Sequence, residues 1–419
     1  GKEAFSLYDT YGFPLDLTQL IAKEKGLSVD ELGFEKSMQE QRKRAKSSGK
    51  FSVESSNVEW KIISEDNDSL FTGYDTISDS AQISRYAQVN DQILVVLDKT
   101  PFYAESGGQV GDKGILKGEG ISLAVNDVQK DGDSFIHYCT GKMKEGINSN
   151  IYCEVDFDRR QNIRKNHTAT HLMHKALKQV LGDHVQQAGS LVHPDYLRFD
   201  LTHSEKISYN HICEIEDIVN REILINKNLK VSLKSYNDAK KEGAIAMFGE
   251  KYGDVVRVVT ISDFSKELCG GTHVERTGDI GLFKIIEESS LASGVRRIVA
   301  ITGPKVVKYL QEKSLILNSI QSQLNCETDL LVDRVGQLIK QKKELEKELK
   351  KQKKTASSFN IKELVKKSKS LGESKIIIHM TKASSLDELK QLGDNLLSVL
   401  KSGVGVLAGK GEKPILVVA

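Results

Sequence analysis

The sequence predicts an α+β protein of several domains, on three observations. Between residues 53 and 155, apolar runs such as Gln92-Ile-Leu-Val-Val-Leu97 and Ile121-Ser-Leu-Ala-Val125 are separated by glycine-bearing turns. That is the pattern of a small β-barrel or sandwich. From 156 to 303, helical periodicity and β-type runs are interleaved, which indicates an α+β core. Beyond Gly303, leucine recurs at 310, 317, 324, 331, 338 and 345, the seven-residue spacing of a supercoiled helix. The 419 residues, 39% of them hydrophobic, suffice for about three domains with apolar cores.

Taken in order, residues 1–48 read as helical. Ser28 and Glu31 stand at capping-box spacing, and the amphipathic stretch runs into Gln41-Arg-Lys-Arg-Ala-Lys46 before Ser47-Ser48-Gly49 breaks it. Within the β region lies Phe102-Tyr-Ala-Glu-Ser-Gly-Gly-Gln-Val-Gly-Asp112. Gly107 and Gly108 either present backbone N–H groups to a phosphate or carbonyl, or close an ordinary hairpin. In the next region, Asp158 is the expected cap of a helix that carries His167 to His174 and ends near Gly182. A second helix is expected from about 212 to 226, with strands at 230–234, 255–259, 281–286 and 294–300.

The leucine element, 304–355, has Val307, Val335 and Leu349 at partner positions, but also the polar Ser314, Gln321, Thr328 and Lys342. Gly336 and Asn325-Cys326 interrupt a single rod, so an intermolecular zipper and a broken internal helical pair both fit. The basic run from Lys340 to Lys354, with glutamates interspersed, suits a solvated helix face or a nucleic-acid backbone. A compact α/β module is expected over 356–419, with a strand at 374–379 and a helix opening at Ser385.

Sixty basic and 58 acidic residues leave no global field to recruit a polyanion, so any nucleic acid is held by local patches. No apolar run reaches membrane-spanning length. Five cysteines without a secretory segment suggest reduced thiols in a cytoplasmic protein. The chain opens on Gly1 rather than Met and closes on the strand-like Pro414-Ile-Leu-Val-Val-Ala419, so both ends read as cut from a longer protein.

Four residues carry chemistry. His167 and His171 fall at i and i+4 on one helix face, and Cys269-Gly-Gly-Thr-His273 can fold two further donors inward. One thiolate and three imidazoles suit Zn2+. A zinc protease helix needs Glu directly after its first His; Thr168 stands there, which removes that reaction's general base. His174 lies on the same face a turn further on, as a supporting or surface histidine. Cys139, Cys153, Cys213 and Cys326 are scattered.

Asn166-His-Thr-Ala-Thr-His-Leu-Met-His174, the 102–112 loop, Gln187-Ala-Gly-Ser-Leu191 and Cys269-Gly-Gly-Thr-His273 resemble, in order and separation, the alanyl-tRNA synthetases. Tyr8-Asp-Thr-Tyr-Gly-Phe-Pro14 is similar to the end of that family's tRNA-recognition helices. The resemblance implies that 1–48 ends that helical domain, 53–155 is the β-barrel of an editing region and 156–303 is its zinc-containing core. It further implies that 304–355 supports a homodimer and that 356–419 is a C-terminal globular module, here incomplete. The family's aminoacylation domain would precede Gly1, so alanine activation is not expected of this chain.

The implied activity is hydrolysis of seryl or glycyl esters wrongly attached to tRNA(Ala). An alanine pocket cannot exclude the smaller glycine and rejects one added hydroxyl by only about a hundredfold, so a second site must sort the products. Thr170, on the histidine face, is the expected contact for the serine hydroxyl. The resemblance puts Gln187 in the same pocket and assigns the tRNA 3′ end to Arg296 or Arg297, with Gly107 and Gly108 as further substrate contacts. Four protein ligands fill a tetrahedron, which favours zinc as a positioning ion over one that activates water. Two other readings fit the same residues: a non-catalytic zinc-stabilised tRNA-binding and dimerisation module, and a freestanding editing protein. The 1–48 segment speaks against the latter.

Overall fold

The computed structural model describes residues 1–11, 15–38, 58–64, 69–144, 150–246, 253–381, 386–400, 402–409 and 415–419. They form two compact units, Gly1–Glu312 and Lys313–Ala419. The α+β class expected from the sequence is what the chain adopts.

The first unit opens with helices α1 (Lys2–Tyr11) and α2 (Leu15–Glu24) and a third, α3, over residues 31–38. The cap of α3 is Asp30, whose Oδ1 accepts from Gly33 N at 2.9 Å, rather than Ser28. Asp stands one residue before the first helical position, where a side-chain oxygen reaches the free N–H groups; Ser28 is too far upstream. The expected basic run and breaker at 41–49 lie outside the described residues.

Next come β1 (Lys61–Ile62), β2 (Leu70–Phe71), β3 (Ser78–Val89), β4 (Gln92–Leu97), β5 (Lys99–Thr100), β6 (Gly114–Gly118), β7 (Ile121–Asp131), β8 (Ser134–Met143) and β9 (Asn150–Val155). Of the two architectures open to this region, the closed barrel is the one formed. Its strand order is β3-β4-β8-β7-β6-β9, and the first half of β3 pairs back onto β9. The length of β3 makes closure possible: residues 78–82 bond β9, while 83–89 bond β4. Alternate residues point inward and bury Ile83, Val95, Leu97, Phe102, Leu116, Val128 and Cys139.

The 25-residue helix α4 (Phe157–Leu181) leaves the barrel directly. Its cap is Asp156, which accepts from Arg159 N at 3.0 Å, so the expected Asp158 sits inside the first turn instead. Strands β10 (Gln187–Val192), β11 (Leu197–Thr202), β15 (Phe283–Ala292) and β16 (Val295–Thr302) make an antiparallel sheet in the order β10-β11-β16-β15. Helices α4 and α5 (Tyr209–Leu224) supply Ala169, Leu172, Met173, Leu177, Ile215 and Val219 to a core shared with Phe199, Leu201, Ile298 and Ala300 of that sheet. A smaller sheet, β12-β13-β14 (Leu229–Ser235, Val255–Ile261, Ser265–Leu268), packs Val256 and Val258 against Ala239 of α6 (Tyr236–Lys241).

A buried ion pair locks α4 to the barrel. Arg160 Nε donates to both carboxylate oxygens of Asp112, and its Nη1 and Nη2 donate to Gly73 O and Pro101 O, each at 2.7 Å. Asp112 also accepts from Tyr103 N at 2.7 Å. Each of the three guanidinium nitrogens thus finds an acceptor, the condition under which a buried pair is tolerated.

Helix α7 (Pro304–Leu324) leads into the second unit, and α8 (Leu331–Lys366) follows a 3-10 turn at Thr328–Leu330. The break falls at Asn325, which has a φ of 46°, while Gly336 stays inside α8. Helix α8 runs past position 356, and Ile361 near its end packs with Ile377, Leu389, Leu396 and Leu407. The C-terminal module therefore takes the last turns of α8 into its core. Strands β17 (Lys369–Leu371), β18 (Ser374–Thr381), β19 (Gly403–Gly409) and β20 (Ile415–Val418) lie in sequence order, with β18 and β19 parallel and joined through α9 (Leu386–Leu400). The expected cap at Ser385 lies outside the described residues. Among the described residues, no helix is long and apolar enough to cross a membrane.

Candidate metal centre

Helix α4 turns His167 and His171 to one side, and the loop after β14 carries Cys269 and His273 to meet them. The four ligand atoms lie within 4.8 Å of one another. Cys269 Sγ is 3.3 Å from His167 Nε2 and 3.3 Å from His273 Nε2. An ion with Zn–S of about 2.3 Å and Zn–N of about 2.0 Å sets tetrahedral S···N edges of about 3.5 Å, so this spacing fits.

The far nitrogen of each imidazole tests the fit independently. Gln109 Oε1 accepts from Thr272 N at 2.9 Å, which fixes the amide orientation, and His167 Nδ1 lies 2.7 Å from that same oxygen. Thr168 Oγ1 donates to Arg164 O, so at 3.1 Å from His273 Nδ1 it is the acceptor. His171 Nδ1 stands 3.1 Å from the carboxylate of Glu267. His167 and His273 can thus keep their proton on Nδ1 and turn the Nε2 lone pair to the centre, whereas His171 Nδ1 faces Glu267 without hydrogen-bond geometry, and, against burial, Glu267 with Cys269 raises that imidazole to about 10. Such outer acceptors are what metal-binding histidines require.

The cysteine loop is held through its carbonyls. Arg257 donates to Cys269 O and Gly271 O at 2.9 and 2.8 Å, and Tyr74 Oη donates to Gly270 O at 2.6 Å. The Arg257 guanidinium stacks 4.1 Å from the Tyr74 ring. Gly271 N points at Cys269 Sγ from 3.4 Å. Burial opposes ionisation of Cys269, but His167 and His273 outweigh it and hold the thiol well below its ordinary value. Burial likewise opposes charge on Glu267, and His171 with His174 overcomes it, keeping that carboxyl well below the usual range. His174 is a buried supporting residue, its Nδ1 3.3 Å from Glu267 Oε1.

The first 159 residues match the family described as tRNA synthetases class II (A). Residues 256–299 match the Threonyl and Alanyl tRNA synthetase second additional domain. An alanine–tRNA ligase of Thermoanaerobacter sp. (strain X514) is 43% identical over 432 residues, covering 100% of this chain and 49% of the relative. Those of Pseudoalteromonas translucida (strain TAC 125) and Idiomarina loihiensis (strain ATCC BAA-735 / DSM 15497 / L2-TR) are each 40% identical with the same coverage. The chain belongs to the alanine–tRNA ligase family. It spans about half the length of the curated family members it matches. Cys269 and His273 fall inside the additional-domain match, and Gln109 inside the class II match.

The other expected site residues are placed as follows. Thr170 is buried on α4, its Oγ1 donating to Asn166 O at 2.8 Å and keeping its lone pairs. Gln187 and Arg296 pair with, or lie opposite, Leu201 on the two sides of β11, so all three share the sheet face that α4 covers. Arg297 lies opposite Asp200 on the other face and donates to it at 2.7 and 2.9 Å. Arg296 is bound to Glu288, Nε to Oε1 at 2.6 Å. Gly107 and Gly108 occupy a tight turn closed by Ser106 and Gln109, both glycines with positive φ. The hairpin alternative thus describes their backbone, and a Cβ on Gly108 would come within 2.6 Å of Ser190 O.

Gln109, Glu267, Arg257 and Tyr74 escaped the sequence reading. Gln109 stood inside the quoted loop and Glu267 two residues before Cys269. A search for acceptors next to the ligand motifs would have found both.

Proposed function

We propose that this chain hydrolyses mischarged seryl- or glycyl-tRNA(Ala), with zinc held by His167, His171, Cys269 and His273. The observation that supports the reading most is the cluster of four donors, with Gln109, Thr168 and Glu267 facing the outer Nδ1 atoms of its histidines, in a chain of a tRNA ligase family. When bound, the ion supplies a fixed positive charge that orients or polarises the ester group. The neighbours of Cys269 favour its thiolate, and an ion held here would take the three histidines as neutral imidazoles. Thr170, its proton committed to Asn166 O, is left as an acceptor for a serine hydroxyl. Alanine would leave that acceptor unmatched in a buried place, the kind of penalty that separates the two substrates. Gln187 and Arg296 line the sheet side of the same space, with Gly107 and Gly108 at its barrel edge. Residues 304–355 pair two copies in a homodimer, and the protein works in the cytoplasm.

A second reading has one observation behind it: four protein donors complete a tetrahedron and suit a structural ion in a tRNA-binding module equally well. A deacylation assay separates the two. Loss of the seryl ester faster than the spontaneous rate, with alanyl-tRNA spared, supports the hydrolase. Thr170→Val should then shrink the serine preference roughly five- to a hundredfold. Binding of the tRNA without ester loss would leave the module.

A further inference from the structure

The arginines around the metal centre are already committed, with one exception among the described residues. Arg160 is spent on Asp112, Arg257 on the cysteine-loop carbonyls, Arg296 on Glu288 and Arg297 on Asp200. Arg164 has no ion pair and no side-chain hydrogen bond among the described residues, and its Nε is buried without a partner. It stands three and four residues before His167 and Thr168, so its side chain shares their face of α4, one turn nearer the N-terminus. The residue as a whole is only half-buried, which leaves the Nη end of the guanidinium as its open part. Burial and the neighbouring Arg160 work against its charge, and Asp112 and Glu275, neither close enough for an ion pair, only partly offset them. A partly buried cation with no carboxylate within ion-pair distance costs the fold stability, and that cost is offset when an anion arrives.

An aminoacyl ester of RNA brings one such anion at a fixed place. The ribose that carries the ester is also joined to the phosphate of the terminal nucleotide, so an ester at the metal centre puts that phosphate one sugar away. One helical turn, about 5 Å of rise, separates Arg164 from the first ligands. A guanidinium matches phosphate oxygens in pairs, which a lysine cannot do. We propose that Arg164 holds the phosphate of the RNA's 3′-terminal nucleotide while the esterified ribose reaches the cluster of His167, His171, Cys269 and His273. The assignment rests on the reading that an aminoacyl-RNA ester is the substrate.

The test is a binding titration of the full, zinc-loaded chain with the trinucleotide cytidylyl-cytidylyl-adenosine. It is run beside the same trinucleotide with an uncharged methylphosphonate as its last linkage. The parent should lose about tenfold to a hundredfold in affinity on neutralisation, whereas Arg164→Gln should bind both forms within about threefold of each other. Arg164→Lys, which keeps stem and charge but loses the fork, should show an intermediate penalty and serves if the Gln variant does not fold. An equal penalty in parent and variants, no penalty in the parent, or no binding by the parent overturns the assignment. So does inorganic phosphate binding as tightly as the trinucleotide and lost in Arg164→Gln, since Arg164 would then serve free phosphate. A parent that deacylates seryl-tRNA yet ignores the methylphosphonate sinks only this proposal; one that binds as expected yet never deacylates sinks the hydrolase.

Discussion

Gly271 is packed so closely against His167 that no side chain fits between them. A Cβ at 271 would fall inside contact distance of His167 Cε1 and Nδ1 and 2.9 Å from Gln109 Oε1. Gly270, its neighbour, has open space, with only Tyr74 Oη at 4.0 Å. The two glycines of the Cys-Gly-Gly-Thr-His loop therefore have different jobs. Only the second is fixed by the metal centre.

Gly271→Ala should accordingly push His167 off its acceptor and lower zinc affinity by roughly ten- to a hundredfold, while Gly270→Ala keeps it within a few-fold. Gln109→Leu, which removes the acceptor and leaves the glycine, should resemble Gly271→Ala. Competition with a chromophoric chelator reads all three. Equal affinities for the two alanine variants would show that the loop relaxes around the new methyl group.

The barrel should lose stability on mild acidification because of His137. Burial holds this imidazole down to about 4, against the hydrogen bond from its Nδ1 side to Val95 O. Its other nitrogen lies 2.8 Å from Thr100 Oγ1. The folded value lies below the ordinary one, so the unfolded chain binds the extra proton. The contribution is complete above about pH 6.5 and declines as pH falls toward 4, by on the order of 3 kcal/mol in all. Trp60, the single tryptophan, packs on the barrel and reports its unfolding. The urea midpoint of its emission should fall across that window in the parent and stay flatter in His137→Gln. A parent midpoint that does not move would remove His137 from the account.

The leucine stripe should join two copies of the chain. Leu338 and Leu345 on α8 are 39% and 64% exposed, whereas Leu331 is buried. Leu338→Lys with Leu345→Lys should therefore convert a dimer to a monomer in sedimentation, with helix content and zinc content unchanged. A parent that stays monomeric at high concentration, or a double variant that stays dimeric, contradicts the zipper.

The sequence by itself determined the four metal-type ligands, because ligand chemistry belongs to residue type, and spacings of four residues act within one helix face or one loop. It also determined the barrel region and the leucine helix, whose signals are local periodicities. Cap positions were legible only to within two residues, since a cap depends on which oxygen reaches an N–H, and Asp30 and Asp156 do so in place of Ser28 and Asp158. The choice between barrel and sandwich was tertiary, made by the pairing of β3 with β9 across the chain. So was the support of the centre. Gln109 meets His167 over 58 residues and Thr272 over 163, contacts that exist only once the barrel is locked to α4 through Arg160 and Asp112. No local pattern encodes such a meeting, because it is the closing of the sheets that brings the two segments within a hydrogen bond of each other.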